Sequence, residues 1–513
     1  MANSSPFSLS SLDHALLAVY IPQNLCFRTS DHQQCLSRLQ AGISLLLTCL
    51  PFLSGEVVPR TDHGAKPGEL RVQPGNTFDV IPMLTIKHFT NVILPPALIG
   101  GSNSLKTDHA VASLDSQFFP LPLILPPSEP RPVMRLQANV VADGVILSMA
   151  FSHSVLDGTG TGVVHEMLAE CCRAAATDSL PSLPTSGEEE AALRNRLTTA
   201  GDGGHPEIDH SGEIGQSYAY ERKEENEDCK EGAETSKQES KQLLAAGLQM
   251  RAFIFSPERL EHLRKACSGF LPLLSHLYTQ TADSTRIWPK FLSSNDVLTA
   301  LLGFCIERTR AKSGVDVSSP SRHTTFAVNF RNRLTTLPDH YLGNAVFPSR
   351  VYFRMPADEP PDLDSLENLV DMHRLQGSGI DARSLLEIAN QAFQSRAGIL
   401  AYDDAFLRSW MAFVTMQPDY ESMNLRFGDT ITASWRDLKI NLLDFGDGLG
   451  RVDNFELNIS ISDRACIIMP ETRLDPLASA PKAPWDVRIS LKTPTMAVFE
   501  RDSLIDWLAD KVV

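Results

Sequence analysis

The chain has 513 residues, 42% of them hydrophobic and 21% charged, with a formal net charge of −16. That is a globular composition with ample apolar material for a core. The acidic balance excludes a nucleic-acid or anionic-membrane surface, which would need clustered Lys and Arg. Nine cysteines are thinly scattered, without a C-x-x-C pair or a short disulfide framework, and a reducing compartment fits best.

The opening MANSSPFSLSSLDHALLAVYIP lacks a basic n-region and carries Asp13 and His14 early, unlike an export signal. The apolar runs at 43–53 and 118–127 are too short or too Pro-rich to span a bilayer. The expectation is a cytoplasmic protein. AGISLLLTCLPFLSG begins as a helix, with Ile43, Leu46 and Leu47 at helical spacing, and ends in Pro and Gly. LQANVVADGVILSMAFSH predicts two strands joined at Ala142–Gly144, because Asp-Gly between apolar runs is a hairpin signal. The second strand runs into His153. GTGTG follows, then a helix with Val164, Met167, Leu168 and Cys171 on one side.

From about Ser186 to Gln242, charge, Gly and Ser dominate and no apolar period is sustained. Such a stretch is expected to be a mostly disordered crossover. Beyond it, AGLQMRAFIFSPERLEHLRKAC predicts a strand and then a helix opened by Ser256, Pro257 and Glu258. SSNDVLTALLGFCIERTRAK predicts a second helix with Val297, Leu298, Leu301, Leu302 and Cys305 on its stripe. TTFAVNF, NAVFPSRVYF, LKINLLDFG, FELNIS, CIIMP and WDVRISL are strand-like, and RDSLIDWLADKVV resembles a terminal helix. No solenoid repeat is visible. The expected class is α/β, with an N-terminal domain over 1–185, the crossover over 186–243 and a C-terminal domain over 244–513.

His153 and Asp157 in FSHSVLDGTG have the spacing H-x-x-x-D. The spacing alone decides nothing: among 14 histidines, a second copy occurs in HPEID, His205 to Asp209. That copy falls in the expected disordered crossover, whereas His153 stands at a strand end, in a glycine-rich turn, before a helix. Four stretches then form a collinear set: HSVLDG (153–158), AVNFRNRL (327–334), YLGNAV (341–346) and DFGDGLG (444–450). The set resembles the BAHD acyl-CoA-dependent acyltransferases, in particular a fungal branch that includes trichothecene O-acetyltransferases. FSLSSLDHALL and SSNDVLTALL are similar to two further elements of that family. The resemblance runs nearly end to end apart from the crossover. It implies two chloramphenicol-acetyltransferase-like domains facing across a solvent channel, with acyl-CoA entering from one mouth and the acceptor from the other. The histidine would stand midway.

Acyl transfer from a thioester to a hydroxyl needs a base for the acceptor proton, a donor for the oxyanion and an acid for the thiolate. One histidine can serve as base and then acid. His153 is the expected catalytic residue, and no acyl-enzyme is required; the chain has no G-x-S-x-G elbow. Asp157, which opens a glycine turn at Gly158, is assigned a structural role rather than a His-orienting one. In the family this aspartate points away from the histidine and pairs with an arginine, matched here by Arg331, with Arg333 as rival. GTGTG lacks the P-loop lysine, so its glycines serve the tight turn and close helix packing. Asp444 opens a DFG without the other kinase motifs, and the resemblance implies a structural role away from the reacting atoms. Asp447 replaces the tryptophan usual in that motif. Ser434 and Trp435 match a stretch that lines the active site, and a hydroxyl there could help hold the oxyanion. Asn344 bonds within the channel or caps a turn.

No metal is expected, since no H-E-x-x-H or Cys/His cluster exists. The expected enzyme is a monomer with no permanently bound cofactor. It moves an acyl group, acetyl in the leading reading, from acyl-CoA to a hydroxyl of a small secondary metabolite. Two alternatives stay open. One is a condensation-domain-like transferase with a carrier-protein donor, in which Ser152 would stand where a first histidine is usual. The other is a degenerate binding scaffold.

Overall fold

The computed structural model describes residues 6–74, 81–95, 116–125, 129–200, 214, 218–220, 247–281, 287–314, 322–353, 355, 363–457, 462–472 and 482–512. The HPEID copy and most of the 186–243 crossover lie outside them. The structure is mixed α/β and is built on two main sheets.

The first has five strands, in spatial order Asn454–Glu456, Tyr20–Arg28, Gly144–Ser152, Met134–Val141 and Leu84–Phe89. Its centre is the expected hairpin. Val141 faces Gly144 across a two-residue loop, and the register then runs from Val140↔Val145 to Met134↔Phe151. Two helices, α1 (His32–Cys49) and α2 (Gly158–Ala176), cover one face. Leu39, Ile43 and Leu46 from α1 and Val164, Met167 and Leu168 from α2 bury against Leu25, Phe27, Leu147 and Met149 of the sheet. The spacing of these residues on each element is what one buried face requires.

The second sheet has seven strands, in order Val346–Tyr352, His323–Asn329, Thr430–Ser434, Ala465–Ile468, Trp485–Lys492, Leu248–Phe255 and Ala509–Val512. The helices Pro257–Gly269, Ser294–Lys312 and Ala382–Ala401 cover it through Leu263, Leu298, Leu301, Leu385 and Ile388, all fully buried. Ser294–Lys312 opens with a capping box between Ser293 and Asp296.

Four expectations need correction. LKINLLDFG is not a strand: it forms a short 3-10 turn at Ile440–Leu442 and then a loop. Its Ile440 and Phe445 enter the core of the first sheet, so apolar content there marks a docking loop. RDSLIDWLADKVV ends the helix at Leu508, and Ala509–Val512 continues as the edge strand. The expected disorder does not begin at Ser186. A third helix, α3, runs Gly187–Ala200, because Leu193 and Leu197 bury one turn apart beside Glu190 and Arg194, which are fully buried as an ion pair. The boundary at 244 is also crossed: residues 440–457 return to the first core, and Asn454–Glu456 pairs with Tyr20–Arg28.

His165 on α2 is fully buried, and neither ring nitrogen has a hydrogen-bond partner. The rings of Phe151 and Phe455 meet it edge-on. Desolvation pushes its pKa from 6.5 down to about 3. The unfolded chain therefore binds this proton first as pH falls, and stability is lost from pH 6.5 downward toward 3. His165→Leu should remove that loss. Between pH 7.5 and 5 the wild type should lose about 2 kcal/mol more than the variant, read from urea midpoints.

Candidate active site

The site lies where the end of the strand Gly144–Ser152 meets the ends of two strands of the other sheet. His153 follows the strand directly, and its backbone N–H donates to Val19 O at 2.8 Å. Its side chain is half-buried. Nδ1 is sealed from solvent without a partner, and Nε2 carries no hydrogen bond among the described residues. Desolvation holds its pKa below 6.5. The nearby polar groups of its own backbone and of Asn344, and the carboxylates of Asp157 and Asp13, act in the opposite sense without reversing it.

Asp157 does not orient that ring. It is the N-cap of α2, and its Oδ1 accepts from Gly160 N at 2.8 Å. Arg331 grips it with two bonds, Nη1 to Oδ2 at 3.0 Å and Nη2 to Oδ1 at 2.9 Å. Ala345 N donates to Oδ2 at 2.8 Å. Arg331 spends its other donors on Tyr341 O, Gly343 O and Asn329 Oδ1. Both side chains of the pair are 1% exposed. Arg333 is elsewhere, donating to Ile399 O at 2.6 Å.

The glycines of GTGTG serve contact. A Cβ on Gly158 would lie 2.7 Å from the Trp435 ring, and one on Gly160 would lie 2.0 Å from Leu342 O. At Gly162 it would meet only the Leu438 side chain, at 3.1 Å. The first turn of α2 is thus pressed against backbone of the YLGNAV segment. Trp435 seats on Gly158 and stacks on Phe455. Ser434 is exposed at the end of its strand. Asp444 is exposed and distant in role: it accepts from Gly446 N at 2.9 Å, and its backbone carbonyl takes a bond from Arg173. Gly446, Gly448 and Gly450 all have positive φ, which this tight loop requires, and Asp447 is exposed on it.

Asn344 is 1% exposed, and its Nδ2 donates to Asp13 Oδ1 and to His153 O, both at 2.9 Å. Both Nδ2 hydrogens are committed, so none is left for an oxyanion. Sequence reasoning missed what stands behind it. Asp13 also takes Asn344 N and Ser10 N, and Arg194 Nε reaches Asp13 Oδ2 at 3.2 Å. Arg194 Nη2 donates to Val155 O at 2.6 Å, and Glu190 accepts from Leu342 N. Asp13 was visible in LSSLDH, but Glu190 and Arg194 carry no signal within a charge-rich run. Among the described residues no group of His, Cys, Asp and Glu could hold a metal ion, and no helix is long and apolar enough to cross a membrane.

A family model described as the Transferase family matches residues 105–504, and one described as a trichothecene 3-O-acetyltransferase-like N-terminal domain matches 19–172. The chain belongs to the Transferase family. It is an acyl-CoA-dependent acyltransferase of the BAHD kind. Fumigaclavine B O-acetyltransferase of Aspergillus fumigatus is 39% identical to it over 98% of this chain and 97% of that protein. Communesin N16 acyltransferase of Penicillium expansum is 30% identical over 99% and 98%. Among solved structures, F. graminearum TRI101 with coenzyme A and deoxynivalenol superposes with a TM-score of 0.67, covering 99% of each chain at 19% identity. That likeness extends the family assignment to the fold.

The contact geometry makes a paired prediction. Gly160→Ala forces backbone apart and should lower acyl-transfer kcat/KM by roughly 10²-fold or more. Gly162→Ala meets a side-chain tip that can turn aside, and should keep activity within about threefold. Steady-state kinetics on both variants checks this.

Proposed function

We propose that the enzyme transfers an acyl group, acetyl in the leading case, from acyl-CoA to a hydroxyl of a small secondary metabolite, with His153 as general base. The supporting observation is the half-buried imidazole at a strand end, with Nε2 free of protein bonds and a pKa below 6.5. Such a ring is neutral near pH 7 and ready to accept a proton. The acceptor O–H gives its proton to Nε2 as the oxygen attacks the thioester carbonyl. The tetrahedral oxyanion collapses, the C–S bond breaks, and the imidazolium returns the proton to the departing thiolate. No covalent acyl-enzyme forms. Ser434 and the Trp435 indole N–H, at the mouth of the same loop, are the candidate donors for the oxyanion. The buried cysteines are not candidate nucleophiles: Cys171 and Cys172 are pushed up to about 12 by burial.

The relatives favour a metabolite acceptor. One is named for O-acetylation of fumigaclavine B, the other for acylation at N16 of communesin. The higher identity of the first favours a hydroxyl. We also infer that the enzyme acts as a monomer in the cytoplasm, with no tightly bound cofactor.

His153→Ala should reduce transfer by 10³-fold or more, on the order expected for loss of a general base, while circular dichroism and melting stay native. An active variant would rule the mechanism out. In the wild type, kcat/KM should fall on the acid side with an apparent pKa below 6.5, because protonation removes the base. A pH–rate profile between 4.5 and 8 reads it (about 0.5 unit per step suffices).

A further inference from the structure

His14 follows Asp13, and its ring is held at both nitrogens. Nδ1 lies 2.8 Å from Ser10 O, and the Leu70 backbone N–H donates to Nε2 at 2.8 Å. A carbonyl oxygen only accepts and a backbone N–H only donates. The two bonds coexist in one form of the ring: neutral, with the proton on Nδ1 and the lone pair on Nε2. The ring also stacks on Tyr420, with centroids 4.5 Å apart and planes 18° apart. Leu70 opens the second strand of a hairpin, Glu56–Pro59 and Leu70–Gln73. The loop of that hairpin is seated beside Tyr420 as well. Tyr420 N donates to Pro67 O at 2.9 Å, Lys66 Nζ donates to Thr415 O, and a Cβ on Gly68 would lie 2.6 Å from Glu421 N. One half-buried imidazole thus pins three segments: the turn at Asp13, the hairpin 56–73 and the loop 417–421.

We propose that His14 is a pH-sensitive pin: protonation of its ring displaces the Leu70 N–H and frees the hairpin 56–73 from the Asp13 turn. A protonated Nε2 presents N–H to N–H, and Leu70 loses its acceptor. The neighbouring carboxylates are already engaged. Asp13 is taken by the N–H groups of Ser10 and Asn344 and by Arg194, and Glu69 by Arg60 and Lys66 N. Asp419 accepts from Glu421 N. On the helix Asp404–Met416, which packs on the same turn, Asp404 and Arg408 pair with each other. Lys66 Nζ, 5.1 Å from the centre of the Tyr420 ring, adds positive charge. Desolvation holds the pKa of His14 below 6.5, and the Ser10 carbonyl, Asp13 and Glu69 act against it without reversing it. The open hairpin leaves an ordinary histidine, which takes the proton first. Opening therefore grows as pH falls below 6.5 and levels off below the pKa of the closed form. Asp13 also holds Asn344 and Arg194, so the pin braces the seat of His153 from outside. The inference is independent of the role of His153 as base.

The test is hydrogen exchange of the full-length enzyme, read by mass spectrometry at pH 7.5, 6 and 4.5 and corrected for the intrinsic exchange rate at each pH. Between the two extremes the protection of peptides covering 60–73 should fall roughly tenfold, and by more than that of α2 or Ser294–Lys312. His14→Gln puts an amide oxygen in the place of Nε2, an acceptor that does not titrate, and its protection over 60–73 should be independent of pH. His14→Phe keeps a ring for the stack but removes the acceptor, and should expose 60–73 already at pH 7.5. It keeps the test alive if glutamine does not reach Leu70. A wild type whose 60–73 protection does not change with pH overturns the proposal. So does a fall shared equally by α2, which is the global effect of His165. A fall retained in full by His14→Gln, or a His14→Phe variant as protected as the wild type at pH 7.5, overturns it too.

Discussion

The buried Asp157–Arg331 pair is the constraint on which the rest of the site depends. Asp157 accepts four N–H bonds, from Gly160, Ala345 and two arms of Arg331. Arg331 in turn commits all its donors to Asp157, Asn329, Tyr341 and Gly343. Saturation matters because two charges leave water here. A buried pair with spare donors or lone pairs would cost more than its attraction returns, and removing one partner from a complete pair costs about 3–5 kcal/mol. Exposed pairs in the same chain, such as Asp444 with Arg451, contribute little by comparison. What the buried pair supplies is register: it ties the turn after the strand Gly144–Ser152 to segments that follow His323–Asn329.

Two consequences follow for His153. The carboxylate nearest in sequence to His153 is fully engaged elsewhere, so the imidazole sits desolvated, with its proton affinity lowered by burial. The YLGNAV segment, held by Arg331 at Tyr341 O and Gly343 O, is brought close enough that Gly160 must lack a side chain. The same segment delivers Asn344 to the His153 carbonyl. A second ion network, Asp13–Arg194–Glu190, holds the other side of the turn at Val155 and Leu342. Helix α3, on which it depends, is thereby part of the framework of the site.

Much of this was legible in the sequence, where one residue type had one physical use. The Asp-Gly hairpin, the apolar stripes of α2 and Ser294–Lys312, and the strand-end seat of His153 were read from local pattern. Tertiary context hid the rest. Leu193 and Leu197 gave α3 too thin a stripe to outweigh its charges, because two of those charges pair inside the core. LKINLLDFG has strand-like composition, but its apolar residues plug the first sheet from a loop whose turns need three left-handed glycines. The clasp of Asn344 by Asp13 joins residues 331 apart, and no local signal carries such a contact. The family resemblance bridged part of that distance by supplying Arg331, and it offered nothing for Glu190 or Arg194.

A double-mutant cycle on Asp157→Asn and Arg331→Met, scored by urea unfolding and by kcat/KM, tests the central claim most directly. If the pair acts as one buried unit, each single variant is strongly destabilised and nearly inactive. The second substitution then adds little to the first, giving a coupling of about 2 kcal/mol or more. Additive losses in stability, or a single variant that folds less stably yet turns over at the wild-type rate, would show that the pair does not hold the seat of His153.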